Sequence, residues 1–484
     1  MAAMKRTRRR GAVRLRTAVT AMCAAGLLVA GTPAQAATFW GPFAAPSPAL
    51  GPQGSSTMHA DAGSSDATAL AGPGVRAVHT TIYPLAAACP TLLQGSDGMV
   101  VALCTTMAGR TPTVELIDPD MTGALGTASA TLPLAKGGLL GGVYAYLDNA
   151  NRLVVVDGQR RLLRIAHSRD AAGRWSLQVV SSVDLSGAVP AGDSVVGLVP
   201  DPSGAVWFAT EHAVAGRVDP SGRAAAIPLG GGEMVENSIS ATPNGRIAVA
   251  TTHALYELRS GVSGNPEVLW RKAYDRGPGR KPGQLSWGTG STPVYFGPDS
   301  GADYVAIVDN AAGAAHLLIF RSGTGQLMCS QPVLTHGGPG SENAPIGLGR
   351  TVVVASTYGY PYPTLPQGAG PAVPPTAPFA GGMTRVDVGT SGCHTVWDNK
   401  VRSSAVPMLS AADGLIYTVN RIGPAAATAV DGFEFTAVNA DTGAIAAHSP
   451  LPGTIVEDPL QTAPLITRDH RVLQGTLSGI VRIG

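Results

Sequence analysis

The sequence contains few charged and few aromatic side chains, and neither charge predominates. Only 14% of its 484 residues are charged and 5% are aromatic, whereas the 62 Gly and 38 Pro residues make up about one residue in five. This abundance of turn-forming residues argues against a helical bundle or a coiled coil. The hydrophobic content of 44% is too high for a disordered chain.

The first 36 residues have the organisation of a secretory signal peptide. Seven Lys and Arg residues at positions 5–16 precede an apolar stretch at 17–31, and Ala34-Gln35-Ala36 supplies the small-x-small pattern of a cleavage site. The apolar stretch is shorter than the roughly 20 residues that a transmembrane helix needs. We therefore predict cleavage near Ala36, a secreted extracellular protein and no membrane span.

The predicted mature chain is mildly acidic. The signal segment holds 7 of the 34 Lys and Arg residues and none of the 32 Asp and Glu residues, which leaves 27 basic against 32 acidic residues, a net charge of −5. Nucleic acids and anionic membranes are bound by basic patches, so neither is an expected partner. We expect a monomer that binds a small molecule, a glycan or an extracellular protein.

One pattern recurs eight times in the remaining chain. Each copy has a short β-rich run after a turn, followed by a second alternating run, and the copies start between about 40 and 65 residues apart. The first runs cover residues 99–103, 153–156, 205–209, 247–250, 304–308, 351–355, 415–419 and 472–475. Four short strands in about 50 residues are typical of a propeller blade. We predict an all-β fold, one eight-bladed β-propeller over residues 78–484.

The two ends of this region suggest how the ring closes. The last copy stops at Ile483-Gly484 after its third strand, and the strand-like segment 78–85 (VHTTIYPL) precedes the first copy. We predict that this segment supplies the missing outer strand and so removes an open sheet edge. The alternative is a seven-bladed ring with an unpaired N-terminal extension. Residues 37–77, rich in Ala, Gly, Ser and Pro, are predicted to be a flexible leader.

The cysteine positions predict two disulfides. Four cysteines follow the signal segment, and an even number in an exported chain favours disulfides over a zinc site, which the lack of any CxxC also disfavours. A hairpin about Ser96-Asp97 pairs residues whose numbers add to 193, which places Cys89 opposite Cys104 within disulfide reach. Cys329 and Cys393 fall on the outermost strands of neighbouring blades, and we predict that they form the second bridge.

Several segments resemble known propeller families. Residues 435–445 (FTAVNADTGAI) and 317–329 (LLIFRSGTGQLMC) resemble the repeats of quinoprotein-like (PQQ-repeat) propellers, whose packing tryptophans are matched by Trp270 and Trp397. Residues 198–222 are similar to a blade of the streptogramin lyase type. The resemblance implies the fold. Quinoprotein alcohol dehydrogenases also carry an adjacent Cys-Cys pair at the quinone, which this sequence lacks, so PQQ is not the expected cofactor.

Polar residues cluster in the connections that a propeller gathers at one face of its channel. These are the loops from the outer strand of one blade to the inner strand of the next, together with the loops between second and third strands. The candidate ligand-binding residues are Glu236, Asn237, Arg280, Lys281, Trp287, Glu342, Asn343, Tyr358, Tyr360, Asp458 and Gln461. We therefore predict a ligand site at the channel mouth formed by blades 4–8.

Two functional hypotheses follow, a binding or scaffold protein and an enzyme on the same face. The enzyme would be a metal-assisted lyase or hydrolase, or a quinone-dependent oxidoreductase. Oxygen ligands from Glu236, Glu342 and Asp458 could hold Ca²⁺, although Glu-Asn steps also simply cap turns. Convergence of the three carboxylates in one coordination sphere would favour the enzyme. No G-x-S-x-G, HExxH, P-loop or complete dinucleotide motif is present.

Overall fold

Short runs of Val, Ile, Leu and Ala between turn residues form strands along the chain. The computed structural model describes residues 40–120, 128–138 and 144–484. Within these ranges no helix has both the length and the apolar character of a membrane span. The predicted signal peptide lies outside the described residues.

Two strands precede the repeats, and each repeat then forms a blade of antiparallel strands A to D. The first two strands are β1 (Ala67–Thr68) and β2 (Thr80–Pro84). Blade 1 contains β3 (Ala87–Gln94), β4 (Val100–Thr106), β5 (Pro112–Ile117) and β6 (Ala130–Pro133). Blade 2 contains β7 (Tyr146–Leu147), β8 (Leu153–Val156), β9 (Arg161–Arg169) and β10 (Trp175–Asp184). Blade 3 contains β11 (Val195–Pro200), β12 (Val206–Thr210), β13 (Val214–Val218) and β14 (Ala224–Pro228).

The next four blades repeat this order. Blade 4 contains β15 (Ser240–Ala241), β16 (Ile247–Ala250), β17 (Ala254–Ser260) and β18 (Pro266–Ala273). Blade 5 contains β19 (Val294–Phe296), β20 (Tyr304–Val308), β21 (Ala315–Arg321) and β22 (Leu327–Val333). Blade 6 contains β23 (Ile346–Leu348), β24 (Thr351–Ala355), β25 (Met383–Gly389) and β26 (Gly392–Asn399). Blade 7 contains β27 (Met408–Ser410), β28 (Leu415–Ile422), β29 (Gly432–Asn439) and β30 (Ile445–Pro450).

Blade 8 is assembled from both ends of the repeat region. Its first three strands are β31 (Leu465–Ile466), β32 (Val472–Gly475) and β33 (Gly479–Ile483), and its outer strand is β2. The pairing of β2 with β33 is antiparallel and runs from Thr80 opposite Ile483 to Pro84 opposite Gly479. The predicted eight-bladed ring and its closure are confirmed, and the seven-bladed alternative is wrong.

The closure can be tested with a cysteine crosslink. Thr81 lies directly opposite Arg482, within the Cα separation that a disulfide spans. We expect the double substitution Thr81→Cys, Arg482→Cys to form a crosslink under oxidising conditions, measured as a mobility shift in non-reducing electrophoresis. The control, Thr81→Cys with Val481→Cys, is displaced by one residue, so its second side chain points to the other face. Equal crosslinking of both pairs would contradict the register.

At two interfaces, between blades 4 and 5 and between blades 6 and 7, a tryptophan from one blade packs against a glycine turn of the next. Trp270 on β18 packs over Gly325, and Trp397 on β26 packs over Gly443. A Cβ at Gly325 would lie 2.7 Å from the Trp270 ring, and a Cβ at Gly443 would lie 2.6 Å from the Trp397 ring. Both glycines also have positive φ, of 64° and 71°, so only glycine combines this turn with this close packing.

Both predicted disulfides are present. Cys89–Cys104 joins β3 to β4 within blade 1, and Cys329–Cys393 joins the outer strands of blades 5 and 6. Ala88 pairs with Thr105, as the predicted sum of 193 requires, but Thr91 pairs with Leu103 because a bulge intervenes. The bulge falls at Cys89-Pro90, so the predicted register holds only on the side of the bulge away from the turn.

Residues 54–68, within the segment predicted to be a flexible leader, are packed into the channel, and the expectation is corrected for them. Strand β1 pairs in parallel with β27, and much of 54–68 is buried. Backbone carbonyls of residues 55, 56, 62, 63, 65 and 66 accept hydrogen bonds of 2.6–2.9 Å from the N–H groups of Gln94, Leu147, Ala241, Tyr295, Gly347 and Leu409. These donors belong to the inner strands of six blades. The small residues that suggested flexibility are those that fit where inner strands crowd together.

A buried polar pair fixes this channel segment, residues 54–68. His59 Nδ1 lies 3.0 Å from Asp66 Oδ1 and 3.1 Å from Asp66 Oδ2, and both side chains are buried. Asp61 accepts hydrogen bonds from the hydroxyl and the backbone N–H of Ser65. Burial raises the pKa of Asp61 to about 6. The segment therefore has its own internal contacts as well as contacts to the blades.

We expect Asp66→Ala to lower the free energy of unfolding by about 2 kcal/mol or more, because it leaves the buried Nδ1 of His59 without its partner. The measurement is chemical unfolding followed by tryptophan fluorescence. The matched control is Asp170→Ala, which removes an exposed ion pair with Arg174 and should change stability much less, because exposed ion pairs contribute little. Equal effects of the two substitutions would indicate that the segment does not contribute to stability.

Candidate functional site

The connections that enter blades 4, 6 and 8 carry most of the predicted polar residues. Asn237 Nδ2 donates to the carbonyl of Gly290 and lies 3.5 Å from Glu342 Oε1. Asn343 Nδ2 donates to Gln461 Oε1 at 3.0 Å. Residues far apart in the sequence thus meet at the channel mouth. This mouth lies on one face of the ring, and the A–B turns, near which the channel segment binds, lie on the opposite face.

Glu236 and Glu342 are buried carboxyl groups with incomplete hydrogen bonding. Oε2 of each has no partner among the described residues. Burial raises the pKa of Glu236 to about 8, with further contributions from the charges of Glu342 and Glu211. Burial also raises the pKa of Glu342 to about 8, against the opposing effect of hydrogen bonds from Leu285 and Asn237. Both carboxyls are therefore mainly protonated at neutral pH.

Gly290 provides the space for Glu342. A Cβ at this position would lie 2.1 Å from Glu342 Oε2, closer than any side chain could be placed without displacing the carboxyl. The carbonyl of the same glycine accepts the hydrogen bond from Asn237. The residue type at 290 is therefore set by the candidate site.

The raised pKa values predict that stability falls as the pH rises. The folded protein keeps protons on Glu236 and Glu342 up to pH about 8, whereas the unfolded chain releases them near 4.5, the ordinary pKa of a glutamate. Each group therefore stabilises the fold fully below that value, and this contribution declines by about 1.4 kcal/mol per pH unit until the folded pKa is passed. Chemical unfolding at pH 5, 6, 7 and 8 measures the slope.

The variant Glu342→Gln should show a shallower decline than the parent protein, because the amide does not titrate. The matched control is Glu267→Gln on the outer strand of blade 4, where Glu267 is exposed. An unchanged slope in Glu342→Gln would contradict the assignment of a raised pKa to this carboxyl.

Asp458 anchors the long loop of blade 6 rather than remaining open to a ligand. Its Oδ1 accepts hydrogen bonds from the Tyr360 hydroxyl and from the N–H of Leu460, and its Oδ2 accepts from Arg421 at 3.0 Å. Arg421 is itself almost fully buried and also binds Asp431 at 2.8 Å. Burial still raises the pKa of Asp458 above its usual range.

Tyr362 and Phe379 pack against Tyr360, and Tyr362 lies near Glu342 of the carboxyl pair. The Tyr360 ring meets Tyr362 edge-on at 4.7 Å and Phe379 at 5.5 Å between centroids. Burial raises the pKa of Tyr362, and the charges of Glu342, Tyr144 and Asp458 add to this effect. Tyr362 therefore lies among the groups that the connections of different blades bring to the axis.

Two insertions interlock over the mouth, residues 274–293 before blade 5 and 356–382 within blade 6. The N–H of Val373 donates to the carbonyl of Arg280 at 2.7 Å, and the Thr357 hydroxyl donates to the carbonyl of Gly283 at 2.7 Å. Lys281 Nζ donates to the carbonyls of Ala311 and Pro339. Lys281 is thus bonded within the protein, and Tyr358 packs against Gly338 and Gly340 beside it.

A cleft of about 300 Å³ lies between the two insertions and blade 4. Three predicted residues line it, Glu236, Arg280 and Trp287. The other lining residues are Gly232, Met234, Thr252, His253, Arg276, Pro278, Gly279, Ser286, Gly368, Ala369, Gly370, Pro371 and Val373. The Arg276 guanidinium lies 4.2 Å from the centre of the Trp287 ring, a cation–π contact. The cleft thus combines a carboxyl, two guanidinium groups and an apolar wall.

The three carboxylates considered for Ca²⁺ are not assembled into one site. The described residues contain no group of three His, Cys, Asp or Glu side chains that could hold a metal ion. Asp458 is bonded to Arg421 and Tyr360, whereas Glu342 Oε1 lies 3.5 Å from Asn237 Nδ2. The condition that would have favoured a metal-dependent enzyme is therefore not met by Glu236, Glu342 and Asp458.

Sequence reasoning missed several residues of this face. Tyr144, whose hydroxyl lies 3.1 Å from Asn237 Oδ1, sits in the connection before blade 2, so the rule that selected Glu236 could have selected it. Arg421 is a charge within the apolar strand β28, which is a recognisable signal for a buried ion pair. His253 and the segment 368–373 carry no comparable signal, because only the folding of the insertions brings them to the cleft.

Comparisons with known proteins identify the fold. No protein family model and no curated protein sequence matches the chain significantly. The structure is similar to the quinohemoprotein alcohol dehydrogenase from Comamonas testosteroni, with a TM-score of 0.54 and 12% identity over 91% of this chain and 81% of that chain. The alcohol dehydrogenase ADHIIG from Pseudomonas putida HK5 gives a TM-score of 0.54 and 10% identity over 89% and 80%.

A third match is to a streptogramin B lyase, with a TM-score of 0.39 and 9% identity over 84% of this chain and 97% of that chain. At these identities the similarity to the dehydrogenases establishes the propeller fold and nothing about activity. The propeller fold expected from the repeat segments is confirmed.

The residues of this chain do not fit the quinone that the dehydrogenase fold family implies. Its two disulfides join cysteines 15 and 64 residues apart in sequence, so neither is the adjacent pair that the resemblance associates with the quinone. The acidic residues of the channel mouth also do not form a cation site. We derive no quinone chemistry for this protein.

Proposed function

We propose that this chain is a secreted β-propeller binding protein whose ligand lies at the channel mouth formed by blades 4–8. The observation that carries the proposal is a set of buried polar atoms with no hydrogen-bond partner in the described part of the chain, Glu236 Oε2, Glu342 Oε2 and Asn343 Oδ1. Glu236 also lines a cleft of about 300 Å³. A buried polar atom left unpaired costs about 1–3 kcal/mol. A bound ligand that completes these hydrogen bonds would offset that cost.

The protonation states define what the mouth offers to a ligand. Protonated Glu236 and Glu342 each carry an O–H donor, and Asn343 Oδ1 is an acceptor. Such a set suits a small polar molecule or the exposed end of a glycan. The signal-like N terminus and the two disulfides support an extracellular location, because disulfides persist in oxidising compartments.

The second candidate is an enzyme at the same position. The observation that favours it is the pair Glu236 and Glu342, two neighbouring carboxyls whose raised pKa values suit a general acid at neutral pH. This candidate needs no metal, unlike the lyase or hydrolase considered from sequence. It predicts conversion of a bound compound, with loss of turnover but retention of binding in Glu236→Gln.

A ligand panel tests the proposal and separates the two candidates. Neutral sugars, short glycans, amino acids and organic acids are screened by thermal shift, and hydrogen exchange then locates each ligand. We expect protection at residues 275–290 and 358–382, and at least tenfold weaker binding in Asn343→Leu. The matched control, Asn265→Leu in an exposed turn of blade 4, should bind normally.

Binding that is equal in Asn343→Leu and in the control, or protection confined to other surfaces, would contradict the proposed site. Each bound compound is also followed by NMR for chemical change. Turnover that Glu236→Gln abolishes would establish the enzyme, whereas stable compounds support the binding protein.

A further inference from the structure

We infer that the cleft beside Trp287 binds a small carboxylate with an apolar body, and that Arg276 and Arg280 hold its carboxylate. The inference deepens the proposed function by naming the chemical class of the ligand, and it rests on that proposal for the location of the site.

The first observation is the unbalanced positive charge of the cleft. Among the described residues, neither Arg276 nor Arg280 has an Asp or Glu oxygen within 4.0 Å. Arg421, in contrast, is buried between Asp431 and Asp458, at 2.8 and 3.0 Å. Buried charges are normally paired, so two unpaired guanidinium groups in one cleft point to an anion supplied from outside.

Arg280 is the more deeply buried of the two. It is 7% exposed, its Nε donates to the carbonyl of Gly370 at 3.1 Å, and its Nη1 donates to the carbonyl of Gln284 at 2.8 Å. These neutral partners hold the guanidinium in place without cancelling its charge. Burial lowers the pKa of Arg280, and the charge of Glu342 opposes this only in part.

Arg276 is held in a similar way at the outer side. Its Nη1 lies 2.6 Å from His253 Nε2 and its Nη2 donates to the carbonyl of Trp287 at 3.0 Å, while Nε is buried without a partner among the described residues. Burial and the charge of Arg276 lower the pKa of His253, so at neutral pH the imidazole is uncharged and accepts this hydrogen bond.

The nearest carboxyl groups do not pair with these arginines. Burial lowers the pKa of Arg276 and the charge of Glu233 opposes this effect, but Glu233 itself is bound to Arg271 at 2.7 Å.

Glu236 is mainly protonated at neutral pH because of burial and the charges of Glu342 and Glu211. A protonated Glu236 can donate a hydrogen bond to a carboxylate oxygen, whereas an ionised one would repel it. The ligand should therefore bind less tightly above pH 8, and Glu236→Gln should remove this decline.

The walls of the cleft select the rest of the ligand. Met234, Pro278, Pro371 and Val373 line it, and the Trp287 side chain is 41% exposed. These surfaces favour an apolar body, so of the two ligand classes in the proposed function the cleft selects the small molecule over the end of a glycan. The volume of about 300 Å³ lies at the lower end of the range for small-molecule pockets, which excludes a long chain or a second protein segment from the enclosed part.

The test uses a pair of probes that share one shape and differ in charge, 2-naphthoate and 2-naphthamide, with isothermal titration calorimetry on the full-length mature protein. We expect 2-naphthoate to bind at least tenfold more tightly than 2-naphthamide. Arg280→Gln and Arg276→Gln should each remove most of this preference.

The matched control, Arg223→Gln, changes an exposed arginine of blade 3 that has no ion pair among the described residues and should leave the preference unchanged. Circular dichroism and thermal unfolding establish that each variant is folded. Arg276 is partly exposed, so we expect Arg276→Gln to disturb folding less than Arg280→Gln does.

Equal binding of the two probes, or a preference that survives in both cleft variants, would overturn the inference while leaving the proposed function intact. Absence of binding by 2-naphthoate, together with an uncharged ligand from the panel that depends on Asn343, would overturn the anion class alone. If no compound binds at the mouth, the proposed function fails as well.

Discussion

The antiparallel pairing of β2 with β33 is the constraint on which the rest of the structure depends. Each four-stranded blade has two faces that it cannot bury alone, and the blades bury them only by stacking in a closed ring. The contacts of Trp270 with Gly325 and of Trp397 with Gly443 show how closely adjacent blades approach. Without the strand contributed by residues 80–84, blade 8 would expose β33 as an open edge and the ring would be joined only by side-chain packing.

The closed ring also explains the two different ends of the channel. At one end, residues 54–68 bond to the inner strands of six blades and fill the narrow space with small side chains. At the other end, the connections between blades bring Glu236, Asn237 and Glu342 together under two interlocked insertions. The burial that raises the pKa values of Glu236 and Glu342 therefore has two causes. Residues 54–68 fill one end of the channel, and the two insertions cover the other end.

Much of this architecture could be predicted from local sequence patterns. Alternating apolar runs and glycine turns have short-range causes, so strand and turn positions, the blade number and the origin of the closing strand were all predictable. The residue numbering of a hairpin about Ser96-Asp97 paired Cys89 with Cys104. The predicted register is wrong only between the turn and the bulge at Cys89-Pro90. Composition misled for residues 37–77, because small residues suit both a flexible linker and a tightly packed channel segment.

The candidate site was less predictable because its properties arise from contacts between distant residues. The topology of a propeller placed Glu236 and Glu342 on one face, but only the fold shows that Arg421 and Tyr360 engage Asp458. Likewise, Arg280 and Lys281 are adjacent in the sequence, which does not show how their roles differ. Lys281 donates hydrogen bonds to backbone carbonyls, whereas Arg280 lines a cleft. Such distinctions depend on how two insertions, about 80 residues apart, pack against each other.

Native-state hydrogen exchange, read residue by residue over the whole chain, tests the central claim most directly. A ring closed by both ends and filled by its own N-terminal segment predicts slow exchange at 54–68 and at 80–84, as slow as in β33 and in the inner strands. Exchange of these two segments within seconds, while the other blades remain protected, would contradict a closed ring.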